Sequence, residues 1–238
     1  MIDICIVIYR NYALLDLQFE FWDKIEGDFR FLICDNTPKN EYKPIPITRE
    51  NMLVFRQEYS GIDGEKHGGA LDFLVRKAES DIIGICDSDF FWLKPDIMED
   101  VRREFANGCK CYGAELWYKD FTKVNDRYPE RAGWLAPCVF GMFIDRQLAL
   151  QETFVVTRKE GEEEWKETGW RMRQKIIQEK IPCHVVEAFK YKNQKGSLFY
   201  GDPEKPVAFH WVKGSSHKVN QNSQIPELLA LRPQQEQA

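Results

Sequence analysis

Basic charge is not in excess in this chain, and that absence removes the first class of function. The 33 Lys and Arg stand against 38 Asp and Glu, a net charge of −5, and the cations are interspersed rather than blocked. Such a balance argues against a general nucleic-acid binder. No run of about 20 apolar residues occurs, so no membrane span is expected, while peripheral membrane contact stays open. Asp3 and Arg10 interrupt the apolar opening segment, which a signal peptide would keep intact. Seven cysteines occur, at 5, 34, 86, 109, 111, 138 and 183, an odd total without a C-x-x-C pair. Most sit inside apolar runs, the pattern of buried reduced thiols in a cytoplasmic protein rather than of a disulfide framework. Cys109-Lys110-Cys111 is expected on a strand, turning two small side chains into the core. Glycine-rich phosphate loops are missing too. The first apolar run is followed by Tyr9-Arg10-Asn11-Tyr12 rather than by G-x-G-x-x-G, and there is no Walker sequence. Dinucleotide dehydrogenases and P-loop NTPases are therefore unsupported.

What is present is a large globular chain. Its 238 residues include 13% aromatics and seven Trp, ample for a sizeable core. Ile2 to Tyr9 reads as a buried strand, Ala13 to Ile25 as a helix, and Phe29 to Cys34 as a second strand ended by the turn cluster Asp35-Asn36-Thr37-Pro38. Met52 to Arg56 is a short strand. Ala70, Leu71, Leu74, Val75 and Ala78 have helix spacing within His67 to Ser80. A strand at Ile82 to Cys86 follows, then a helix starting near Pro95 and closed by Gly108. This alternation is the signature of a doubly wound parallel sheet. The later half is less regular: strands at Lys110 to Leu116, Cys138 to Ile144, Pro182 to Glu187 and Val207 to Val212, with a helix at Trp170 to Glu179. Residues 1–217 are read as one domain, with a ligand-binding half (1–108) and a catalytic half (109–217). Residues 218–238, rich in Gln, Asn, Ser and Pro, are read as a loosely held tail.

Asp87-Ser88-Asp89 closes the run Ile82-Ile83-Gly84-Ile85-Cys86. In an open α/β sheet the ligand crevice lies beyond the carboxyl ends of buried parallel strands. Two carboxylates one residue apart at that place repel unless a cation lies between them. The functional reading is a divalent metal holding a phosphorylated ligand; the bland one is two solvated loop acids. Position at a buried strand end favours the first.

The order of these motifs resembles the GT-A glycosyltransferases, in particular the large inverting family called family two. Tyr9-Arg10-Asn11 is similar to the pair that ends the family's first strand, and Asp35-Asn36-Thr37 to the turn that ends its second. His67-Gly68-Gly69-Ala70-Leu71-Asp72 is similar to a stretch leading to the Asp-x-Asp strand in some bacterial members. The resemblance runs in order over about residues 2 to 100 and through scattered motifs to about residue 216. It implies a three-layer α/β/α domain, Rossmann-like, with a mainly parallel mixed sheet. It implies transfer of a sugar from a nucleoside diphosphate sugar to an acceptor hydroxyl of a glycan, lipid-linked or protein acceptor, with inversion, in glycan or polysaccharide synthesis. Tyr9 and Asp35 would face the nucleobase, and His67 and Gly68 would meet the donor at a helix N-terminus suited to an anion. Asp87 would approach the ribose or the metal; Asp89 and His210 would hold Mn²⁺ or Mg²⁺, and Lys213 would close over the diphosphate.

Glu167-Thr168-Gly169-Trp170 resembles the acidic motif that supplies the family's general base, although the family writes it with Asp. Thr168 is expected to cap the following helix, with Trp170 and Ile177 on one face, and Glu167 to be the base. Glu160 to Glu167 is acid-rich, so its other carboxylates, Glu163 and Glu164 among them, read as solvated surface. Trp117, Tyr118 and Trp134 could stack on sugar rings or simply pack. Two other readings of the same fold are a nucleotidyltransferase that makes a sugar nucleotide, and a non-catalytic glycan-binding domain. The first normally carries a glycine-rich basic loop that this chain lacks. Retention of Asp87, Asp89 and His210 speaks against the second.

Overall fold

A computed structural model of the chain describes residues 1–59, 63–115, 136–155, 168–189 and 197–211. Strand β1 (Ile2–Ile8) is buried along its whole length, as a strand covered on both faces must be. Helix α1 (Tyr12–Trp22), β2 (Phe29–Asp35), β3 (Met52–Arg56), α2 (Asp63–Lys77) and β4 (Ile82–Cys86) follow. After them come β5 (Phe90–Trp92), α3 (Ile97–Ala106), β6 (Cys111–Glu115), β7 (Pro137–Asp145) and the short α4 (Arg146–Ala149). Helix α5 (Trp170–Gln178) and strands β8 (Cys183–Val186), β9 (Ala188–Phe189), β10 (Ser197–Gly201) and β11 (Pro206–Trp211) complete the described chain.

Seven strands form the large sheet in the order β3-β2-β1-β4-β7-β6-β8. Every neighbouring pair is parallel except β4–β7 and β6–β7, so β7 alone runs reversed. The mainly parallel mixed sheet is thus present, with one departure from a purely parallel winding. From β1 the chain builds outward through β2 and β3, then returns to place β4 on the other side of β1. That reversal makes a topological switch point between β1 and β4, where a crevice opens beyond the carboxyl ends of the strands.

Period-two alternation sorts the sheet's side chains into two cores. Ile4, Ile6, Ile8, Phe31 and Ile33 pack under Leu15, Phe19 and Trp22 of α1 and Ile97, Met98 and Val101 of α3. Cys5, Val7, Leu32, Cys34, Ile83 and Ile85 pack under Leu71, Leu74 and Val75 of α2 and Met172 and Ile176 of α5. Helices on both faces give the three layers. Each fully buried Ile, Leu or Phe contributes roughly 1.5–3 kcal/mol.

A second sheet, β5-β11-β10-β9, is antiparallel throughout. Of its strands only β11 was expected from sequence, and it was not expected to leave the large sheet. Strands of two or three residues, such as β9 and β5, are too short to display a period. All seven cysteines carry free thiols. Cys109 lies just before β6 and is partly exposed, so only Cys111 of the Cys-Lys-Cys stretch turns into the core, which corrects the expectation that both would. Among the described residues no helix is long and apolar enough to cross a membrane.

Candidate functional site

Asp35, the last residue of β2, is fully buried at the crevice. Its Oδ2 accepts a hydrogen bond from the Tyr12 hydroxyl at 2.9 Å, and its Oδ1 accepts one from the Thr37 N–H at 2.9 Å. Tyr12, at the start of α1, is therefore the tyrosine joined to this carboxylate, a partner the sequence did not single out. Burial raises the Tyr12 pKa, which keeps the phenol a donor. Tyr9 instead lies under the Arg10 guanidinium, 4.9 Å from ring centre to Cζ. Arg10 has φ 66°, a left-handed conformation uncommon outside glycine, and its N–H donates to Thr37 Oγ1 at 2.8 Å. Backbone strain is thus held at the mouth of the crevice.

The Asp87-Ser88-Asp89 turn joins the two sheets. Phe90 N donates to Asp87 O at 3.0 Å, turning the chain from β4 directly into β5. Gln18 reaches in from α1, wholly buried, and its amide donates to the carbonyls of Asp87 at 2.8 Å and Phe90 at 2.7 Å. Cys86 Sγ also reaches the Phe90 carbonyl, at 3.4 Å, and Gln18 bonds the carbonyls at both ends of the turn. The sequence signal of Gln18 is a polar residue inside the apolar face of α1, four positions from both Leu14 and Trp22.

Both carboxylates of the turn face an imidazole. Asp89, 3% exposed, has Oδ1 3.5 Å from His210 Nε2. Asp87 Oδ1 lies 3.4 Å from His67 Nε2. His210 arrives through the small sheet: β11 pairs with β5 so that His210 stands opposite Phe90, and Trp211 N donates to Asp89 O at 2.9 Å. Its ring stacks on Phe140 with centroids 4.2 Å apart, and its Nδ1 is buried without a hydrogen-bond partner. The sequence-predicted Asp87, Asp89, His67 and His210 are therefore brought together.

Separations of 3.4–3.5 Å are long for a charge-assisted hydrogen bond. Neighbouring ligands each about 2.1 Å from an octahedral Mg²⁺ or Mn²⁺ would lie about 3.0 Å apart, so the observed pairs would have to close by a few tenths of an ångström on an ion. Carboxylate plus imidazole is also a donor set that suits Mn²⁺. Among the described residues no three His, Cys, Asp or Glu side chains form a closed metal-binding group. The residues fit the ion in chemistry, with the set not drawn together around one point. Burial pulls the His67 imidazole down to about 4 against the opposing attraction of Asp89, although 26% of its side chain meets solvent. At neutral pH the ring is neutral and has a lone pair to offer.

Two expectations need correction. Helix α2 begins at Asp63, a turn before His67, so the N–H groups of His67 and Gly68 lie in the helix ladder and not at a free N-terminus. Gly68 is buried where an added Cβ would stand 2.4 Å from the Phe154 carbonyl oxygen. It allows α2 to rest directly on the 154–155 backbone. Thr168, in turn, does not cap α5. Gly169 holds the N-cap at φ 76° with no side-chain cap, and an added Cβ there would meet Val139 Cγ1 at 2.4 Å. A glycine is what lets the helix start so close to β7, and Thr168 Oγ1 is left 3.3 Å from His67 Nδ1. The buried face of α5 carries Met172, Arg173 and Ile176, with Trp170 and Ile177 only partly covered. Glu167, Lys213, Trp117, Tyr118 and Trp134 lie outside the described residues.

No family model and no curated protein matches the sequence. Among solved structures the chain is similar to mannosyltransferase PcManGT from Pyrobaculum calidifontis in complex with GDP-Man and Mn²⁺, at TM-score 0.55 and 13% identity. The match covers 81% of this chain and 57% of that one. The fold is of the GT-A type. S. aureus TarS, at TM-score 0.49 and 12% identity over 90% of this chain and 60% of that, is too distant to add to the argument. So is an active-site mutant of LgtC, at 0.48 and 12% over 63% and 60%. This GT-A chain spans less than two thirds of each.

Proposed function

We propose that this GT-A chain is a metal-dependent glycosyltransferase that moves a sugar from a nucleoside diphosphate sugar to an acceptor hydroxyl. The observation that carries the reading is the pairing of Asp89 with His210 and of Asp87 with His67, at the end of β4 beside the switch point. Asp35, with Tyr12 behind it, and Tyr9 stand at the neighbouring strand ends and receive the nucleoside. Lys213 follows β11 closely in sequence and is assigned to the diphosphate. Asp87, Asp89 and His210 would hold Mn²⁺ or Mg²⁺, which would supply positive charge against the departing diphosphate.

Glu167 is assigned as the general base. It takes the proton of the acceptor hydroxyl while that oxygen forms its bond to the anomeric carbon. The bond from that carbon to the diphosphate oxygen breaks, and the nucleoside diphosphate leaves with the electron pair. Attack from the face opposite the leaving group inverts the anomeric centre. A glycan, lipid-linked or protein acceptor serves equally in this chemistry. The free thiols suit the cytoplasm, on or off a membrane surface.

The test is release of nucleoside diphosphate from a panel of sugar nucleotides, with Mn²⁺, with Mg²⁺ and in EDTA. Release with metal from at least one donor, lost in Asp89→Ala, is expected. Release that is equal in EDTA would remove the metal from the reading.

A further inference from the structure

Helix α1 buries a face made of Leu14, Leu15, Phe21 and Trp22, and one turn from all four stands an amide. Gln18 Nε2 donates to the carbonyls of Asp87 at 2.8 Å and Phe90 at 2.7 Å, while its Oε1 is buried with no hydrogen-bond partner among the described residues. The orientation has one solution, because the amide turned over would set its oxygen against both carbonyls. An unmatched buried oxygen is unfavourable, and a Leu or Met in this place would avoid it. Packing of α1 therefore does not account for Gln18; the two carbonyls do.

Those carbonyls are the two ends of the turn that carries both site carboxylates. The Asp87 carbonyl receives a second hydrogen bond from Phe90 N at 3.0 Å, so both its lone pairs are engaged, and Asp87 N donates to Phe140 O at 2.8 Å. The backbone of Asp87 is thus held from α1, β5 and β7 together, and its carboxylate moves by rotation about its own side-chain bonds. Phe90, at the other end of the turn, stands opposite His210 across the β5–β11 pairing, and Trp211 N donates to Asp89 O at 2.9 Å. One amide therefore ties the carboxylate turn to the strand against which His210 is registered.

Metal sites tolerate errors of only about 0.2 Å in ligand distance, and loss of a group that orients the ligands commonly lowers metal affinity about 10–100-fold. We propose that Gln18 is the positioning residue of the cation site: it sets the carboxylate turn against His210, and so decides how tightly a divalent ion is held, without touching ion or donor itself. The inference rests on the metal-dependent reading of the Asp87–Asp89 turn. It adds to that reading a residue from α1, a helix that supplies no ligand to the ion.

The experiment titrates GDP, UDP, ADP, CDP and dTDP calorimetrically into the full chain, in Mn²⁺ and in EDTA, for wild type, Gln18→Met, Gln18→Asn and Asp3→Asn. Its readout is the ratio of affinities with and without Mn²⁺, which should be tenfold or more in the wild type for at least one nucleotide. Gln18→Met keeps the length of the side chain and loses both donors. Its ratio should fall to within threefold of one, with the affinity in EDTA kept within twofold of wild type. Gln18→Asn carries the amide on a shorter stem, reaches one carbonyl at most, and should fall between. Asp3→Asn, at the opposite end of β1, loosens the fold without touching the turn and should keep the wild-type ratio. A wild-type ratio in Gln18→Met would overturn the proposal and leave the metal reading standing. An equal fall in Asp3→Asn would reduce the effect to stability and overturn it too. Should Gln18→Met fail to fold, Gln18→Asn decides alone, a wild-type ratio there being the contrary result. No binding, or a ratio of one, in the wild type would remove the metal reading and this inference with it.

Discussion

Asp35 and the Asp87–Asp89 turn belong to a part of the molecule in which each functional side chain ends its own strand. β2 and β4 flank β1 in parallel register, and a residue at the end of either reaches the crevice with no further device. His210 arrives by another route. It belongs to a small antiparallel sheet assembled from β5, β9, β10 and β11, pieces scattered from Phe90 to Trp211, and it meets Asp89 only because β11 pairs with β5. One region places its chemistry by local pattern, the other by long-range pairing. The Asp87–Asp89 turn, pinned by Gln18, is where the two join.

The comparison predicts that donor binding and turnover separate. Glu167→Gln should lower turnover by about 10²–10⁴ while leaving metal-assisted nucleotide binding and the fold intact. Glu163→Gln and Glu164→Gln serve as controls, because ordinary surface acids would leave the rate unchanged within about 0.5 kcal/mol. Steady-state kinetics with the true acceptor measures all three, and wild-type turnover by Glu167→Gln would move the base elsewhere.

Next in size is an effect on stability alone, at the end of β1 opposite the crevice. Burial raises the Asp3 pKa, but Arg30 and the N–H groups of Ser80 and Glu79 outweigh it and hold the carboxyl below its ordinary 3.8. A carboxyl depressed by folding contributes stability above its unfolded pKa, and that stability is lost as pH falls through the folded one. Asp3→Asn should therefore cost about 2–4 kcal/mol at pH 7 and less at acid pH, with nucleotide affinity unchanged in the folded fraction. Urea unfolding at pH 7 and pH 3 checks the sign; an equal loss at both would refute it.

Smaller again are two contacts around the large sheet. Gly68→Ala would raise helix propensity, yet its methyl group meets the Phe154 backbone, so a net loss of about 1–3 kcal/mol is expected. A gain in stability would mean that α2 and the 154–155 segment are not in contact. Tyr12→Phe, which removes the hydroxyl from Asp35, should cost only about 1 kcal/mol and weaken nucleotide binding a few-fold in calorimetry.

The same contrast explains how much could be read from sequence. The strands of the first region, β3 and β4 to the residue, follow from apolar runs and turn clusters, and so do Asp35, Asp87 and Asp89 at their ends. His210 was legible only through resemblance, since no periodicity announces that a two- or three-residue strand will pair at a distance. Gln18 could have been found as a polar residue in an apolar helix face. Tyr12 was passed over for Tyr9 because the first strand stops at Ile8 and the chain turns through Arg10 in a left-handed conformation. The start of α2 and the cap of α5 were misplaced because close packing at Gly68 and Gly169 is a tertiary demand that local propensity does not contain.

The central claim is that Asp87, Asp89 and His210 form a cation site for a nucleoside diphosphate. Calorimetric titration of nucleoside diphosphates into the full chain tests it most directly, in Mn²⁺ and in EDTA, for wild type and Asp89→Ala. The account predicts binding at least tenfold tighter with Mn²⁺ in the wild type and no metal dependence in the variant. Equal affinity in Mn²⁺ and in EDTA for the wild type would contradict it.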